Sequence, residues 1–148
     1  MLFIIVWNKE ANMKILVAVD KSTYSQKAFA SALEMAKQEK AQLSLITVFP
    51  DFIDMEEVAH KVKESLRASA EAVVEDAEKR AREQGVSVEK VVVGAASAAD
   101  AIITHAKENG FDLIVMGHKS RSGLEHLLLG SVASKVVAYA PCSVLVVR

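Results

Sequence analysis

The sequence predicts a doubly wound α/β domain, a parallel sheet of five strands with helices on both faces. Two observations carry this. Short β-rich runs alternate with helical patterns along the whole chain, giving β-α-β-α-β-α-β-α-β. Three of those runs, residues 14–20, 112–117 and 143–147, are nearly continuous apolar stretches, as expected of strands covered on both faces. No low-complexity segment and no solenoid-length repeat competes with that reading.

Taken in order, "KILVAVD" (14–20) is the first strand, and Ser22–Glu39 follows as a helix with Ala28, Ala32, Leu33 and Ala36 on one face. "AQLSLITVF" (41–49) is the second strand. Met55–Gln84 repeats Met55, Val58, Val62, Leu66, Val73 and Ala77 at near-helical spacing, and Gly85 supplies its stop. The charge run "EDAEKRAREQ" is the solvated side of that helix. "VSVEKVVV" (86–93), a helix over Ala98–Asn109 carrying Ile102, Ile103 and Ala106 and closed by Gly110, and "DLIVMG" (112–117) come next. Leu124–Ala140 has a helical pattern ended by Pro141, before the last strand, "SVLVV" (143–147).

Composition narrows the class. A chain of 148 residues is one domain, and 51% apolar with 25% charged residues is ordinary for a globular protein. With a net charge of −1, no global field draws it to nucleic acid or to an anionic membrane, so neither is an expected partner. The single cysteine, Cys142, forms no intramolecular disulfide and reads as a small buried hydrophobe, which fits a reducing, cytoplasmic location. The apolar "MLFIIVW" at the start is too short to span a bilayer and lacks the charged region and cleavage site of a secretory signal. A second methionine, Met13, leads directly into the first strand; residues 1–12 are therefore read as an extension and 13–148 as the domain.

In a doubly wound sheet, ligands bind beyond the carboxyl ends of the strands, where strand order reverses. Asp20, Val48, Gly94 and Gly117 stand at or beside such ends. Gly117 closes an apolar strand, where a missing Cβ lets the chain turn and backbone N–H groups approach an anion. Gly130-Ser131 is a second signal: a Ser131 cap on a helix over Val132–Ala140 would present a hydroxyl, free N–H groups and the positive end of the dipole. His118, Lys119 and Arg121 would add mobile positive charge. Small residues at strand ends also serve ordinary turning. Neither G-x-x-x-x-G-K-[ST] nor G-x-G-x-x-G is present.

The stretch "MGHKSRSGLEHLLLGSVASKVVAYAPCSVLVVR", with "KILVAVDKSTYSQKAF" and "NGFDLIVMG", strongly resembles the universal stress protein family, over Met13 to Arg148. The resemblance implies strand order 3-2-1-4-5 and a homodimer paired through the C-terminal strand. It further implies ATP, or another adenine nucleotide, bound through G-x2-G-x9-G-[ST]. On this chain Gly117 fills the first position and Gly130 and Ser131 the last two, while Ser120 replaces the second glycine. By the same likeness Asp20 meets the ribose or the adenine edge, and Ala18, Val48, Met116 and Val132 lie near the nucleotide, with magnesium or manganese among the phosphates. If position 120 needs a left-handed backbone, the serine costs about 1–2 kcal/mol. A smaller departure is Ala96, where family members often have proline.

Other constellations are weaker. "KSRSG" has Lys119 where a nucleophile elbow needs glycine. His118 and His126 lack zinc-site spacing and read as solvent-facing loop histidines, while His60 and His105 read as helical surface or partly packed residues. The expected function is an adenine-nucleotide-binding module with a signalling or protective role, for which no catalytic residue is required. Two alternatives compete. One is a dimeric interaction module whose nucleotide site was lost at Ser120. The other is a slow ATPase or autokinase using Ser120, Ser122 or Ser131 as acceptor.

Overall fold

The computed structural model describes residues 12–51, 57–119 and 129–148. Its nine elements are β1 (Lys14–Ala18), α1 (Thr23–Glu39), β2 (Gln42–Pro50), α2 (Glu57–Glu83), β3 (Val88–Ala95), α3 (Ala98–Glu108), β4 (Leu113–Gly117), α4 (Ser131–Tyr139) and β5 (Ser143–Val147). All strand pairings are parallel and the order is β3-β2-β1-β4-β5, as the sequence and its resemblance led one to expect.

Strand alternation divides the core into two layers. Ile15, Val17, Leu43, Leu45, Leu113 and Val115 point to one face, where Ala28, Phe29, Ala32, Leu33 and Ala36 of α1 and Val74, Ala77 and Ala81 of α2 cover them. Leu16, Ile46, Ile114 and Met116 point to the other, beneath Ala99, Ile102 and Ala106 of α3 and Ala133 and Val136 of α4. The small residues on the helices let them sit close to the branched side chains of the sheet.

Helix boundaries follow local chemistry. Ser22 caps α1, its hydroxyl accepting from the Ser25 N–H, and Ser97 caps α3 in the same way. Gly85 and Gly110 take positive φ, as expected of stop signals; Lys40, at φ 52°, closes α1 without glycine. β3 begins and ends two residues later than the pattern suggested. The helix expected over Leu124–Ala140 starts at Ser131, and residues 124–128 lie outside the described residues. Among the described residues no helix is long and apolar enough to cross a membrane.

Candidate functional site

Central strand β1 ends at Ala18, while its neighbour β2 runs on to Pro50 beside β3. α1 follows β1 on one face of the sheet, and α4 follows β4 on the other. A cleft of about 1050 Å³ opens where they part. Ala18, Ile46, Val48, Ile102, Met116 and Val132 give it apolar walls.

Polar groups are arranged around those walls. Val19 N–H donates to Ile46 O at 2.9 Å, so the Ile46 peptide groups face β1. Alternation turns the Val48 N–H and C=O the same way, but there β1 has already left, and they open into the cleft. A donor and an acceptor side by side on an extended strand can read the edge of a flat heterocycle. Asp20 is fixed beside them: its N–H donates to Ser25 Oγ at 2.7 Å, and its Oδ1 accepts from Ser22 N–H at 2.7 Å. Thr47 Oγ1 donates to Val19 O at 2.8 Å and holds the exit of β1 against β2.

The first turns of α1 and α4 reach the cleft and contain no acidic residue, so no carboxylate of their own offsets their positive dipole ends. In α4 the N–H groups of Ser131, Val132 and Ala133 precede the first intrahelical bond, Ser134 N to Gly130 O at 2.9 Å. Lys21, Lys27 and Lys119 also line the cleft, and among its described lining residues Asp20 is the only carboxylate. At α3 the first-turn acid, Asp100, is bonded by Lys135 of α4 at 2.8 Å; that contact holds its carboxyl below the ordinary value.

Of the residues singled out from sequence, Ala18, Asp20, Val48, Met116, Gly117, Gly130 and Val132 line this cleft. Two details are corrected, and a third residue is placed. Gly130 is the cap of α4, and Ser131 is an exposed first helical residue whose hydroxyl caps nothing. His118 does not face solvent: it is only 6% exposed, its ring edge-on to Tyr24 with centroids 4.2 Å apart. Gly94 packs on Phe49, whose ring would lie 2.8 Å from an added Cβ. Ser120, Arg121, Ser122 and His126 fall outside the described residues.

Gly117 and Gly130 have steric roles. A Cβ on Gly117 would come within 2.8 Å of the Tyr24 backbone, so the missing side chain admits the start of α1 against the end of β4. A Cβ on Gly130 would stand 3.1 Å from His118 O, which accepts from Gly130 N–H at 2.6 Å. That bond brings the departing and returning chain together.

Several cleft-lining residues were not singled out for the site from sequence: Ser25, Thr47, Tyr24, and Leu66, Ser69, Ala70 and Val73 of α2. Ser25 was discoverable, since it stands three residues after the Ser22 cap. The α2 wall was not, because an amphipathic period shows which side is apolar but not how far its helix overhangs a strand end.

Fold and cleft together define a Rossmann-like α/β domain with a cleft at its topological switch point. The chain belongs to the universal stress protein family, whose profile matches residues 11–148. It is 34% identical over 146 residues to the universal stress protein YxiE of Bacillus subtilis, covering 91% of this chain and 98% of that one. Universal stress protein UspA from Lactobacillus plantarum superposes with a TM-score of 0.77 at 32% identity, over 93% of this chain and 99% of that one. A universal stress protein in complex with cAMP aligns at 28% identity with a TM-score of 0.71, over 92% and 97% of the two chains.

Proposed function

We propose that this chain is an adenine-nucleotide-binding module, for ATP or a related nucleotide, with a signalling or protective role in stress response in the cytoplasm. The observation that carries the reading is the switch-point cleft itself, which joins apolar walls and the Val48 strand to two acid-free helix starts and three lysines around one cavity. A flat base suits the apolar walls, and phosphates suit the helix starts and the lysines. The cAMP complex of a relative supports this ligand class. Asp20, already oriented by Ser22, is placed to accept a hydroxyl of the ribose. Among the described residues no cluster of three or more His, Cys, Asp or Glu could hold a metal. Magnesium or manganese would therefore take phosphate oxygens as its main ligands.

Isothermal titration with AMP and with ATP, each with and without Mg²⁺, tests the proposal. Saturable binding by the native chain, weakened about tenfold in Asp20→Ala, is expected. Absence of heat with every nucleotide would favour the interaction-module alternative, and a gain of binding in Ser120→Gly would then locate the loss.

The same reading includes a homodimer. β5 pairs with β4 alone among the described strands, and Leu145 on it is 36% exposed; on the other face of the sheet, Val137 and Tyr139 of α4 are 49% and 70% exposed. An open apolar edge calls for a partner strand. Sedimentation velocity should show a dimer that Leu145→Lys dissociates.

A further inference from the structure

His118 is a buried ionisable side chain at the junction of four elements, and the nucleotide reading does not use it. Its backbone N–H donates to Val147 O of β5 at 2.9 Å, and its backbone carbonyl accepts from the N–H of Gly130, the cap of α4. It follows Gly117 at the end of β4, and its ring stands edge-on to Tyr24 in the first turn of α1. Gly117 and Lys119, on either side of it, both line the cleft, as does Tyr24. At 6% exposure, its Nδ1 is sealed from solvent and makes no hydrogen bond among the described residues.

A buried polar atom without a partner costs its lost hydration. An apolar ring of similar shape would pack on Tyr24 without that cost, so packing alone does not account for an imidazole here. We infer that His118 is a positioning residue of the anion-binding turn, whose unpaired Nδ1 acquires a hydrogen bond when the phosphate of an adenine nucleotide seats beside Lys119 and Gly130. This rests on the nucleotide reading above and adds to it a named coupling: phosphate contact at the turn is transmitted through the imidazole to Tyr24 and the start of α1. The signature is selectivity. Adenosine, which has no phosphate, does not engage the turn and is indifferent to the group at position 118.

The experiment compares AMP and adenosine on the native chain, His118→Leu and His118→Asn, the last keeping a polar nitrogen near the Nδ1 position. His118→Leu should weaken AMP about tenfold, leave adenosine within about twofold, and recover most AMP affinity as His118→Asn. On the native chain with ¹⁵N-labelled histidine, the Nδ1 resonance of His118, assigned by its absence in His118→Asn, should move on adding AMP and stay in place with adenosine. That measurement decides the matter even if the leucine variant fails to fold. Equal weakening of AMP and adenosine in the variants, or an Nδ1 signal unmoved at saturating AMP, overturns the coupling while leaving the nucleotide site intact. A native chain that binds neither compound overturns both.

Discussion

The two ends of the sheet are built from the same strands and behave oppositely. At the amino end, polar groups meet each other. Lys14 N–H donates to the Asp112 carboxylate at 2.8 Å and Asp112 N–H to Lys14 O at 2.9 Å. Lys14 Nζ reaches Asn109 O while lying 4.8 Å from the centre of the Phe111 ring. Gln42 N–H closes on Met13 O at 2.8 Å, and Gly85 and Gly110 turn the chain tightly into β3 and β4. At the carboxyl end β1 stops short, peptide groups of β2 are left facing a cleft, and two helix starts point their N–H groups toward it. Hydrogen-bonding capacity is used up at one end and held open at the other, where the proposed ligand would take it.

The largest test of that contrast is Gly117→Val. Its Cβ would strike the Tyr24 backbone, so the start of α1 must move off β4. A loss of about 3 kcal/mol in urea denaturation and at least about tenfold in AMP affinity is expected. A variant that binds AMP normally would show that the cleft does not depend on this close approach.

Gly110→Ala is the counterpart at the other end. With φ +63° and no atom within 4 Å of the added Cβ, only backbone strain opposes it. Stability should fall by about 1 kcal/mol, measured by thermal unfolding, with nucleotide binding unchanged. Lys14→Met should cost less, about 0.5–1 kcal/mol, because its bond and its ring contact are both at the surface. It too should leave titrations untouched.

The smallest effect is a pH slope. Burial holds the His105 imidazole below its ordinary value of 6.5. The unfolded chain therefore binds that proton more readily than the folded one. The contribution of His105 is present above the unfolded value and is lost as pH falls through the lower folded one. Melting temperature should decline on acidification below about pH 6.5, and less steeply in His105→Gln. Cys142, half-buried with its thiol pushed up by burial, fits its reading as a packed side chain.

Much of this was legible in the chain itself. Strands covered on both faces announce themselves as apolar runs, and helices covered on one face as a period, because burial acts on side chains in fixed geometric order. Stop signals at Gly85 and Gly110 were readable since positive φ is a local demand. Asp20, Val48, Gly117 and Gly130 could be placed at the cleft because strand ends and helix starts carry recognisable residues. His118 was misread for the opposite reason. Its neighbours in sequence are polar, while its neighbours in space are Tyr24, Val147 and Gly130.

The sequence by itself determined which segments form strands and helices, which faces they bury, and which strand ends and helix starts meet at the switch point. Only the tertiary structure decided that Gly117 is needed to admit Tyr24, that Gly130 rather than Ser131 caps α4, and that α2 walls the cleft. The physical reason is range. Periodicity and capping are set by residues a few positions apart. Close approach, shared walls and buried unpaired atoms arise between segments that meet only after the sheet has formed.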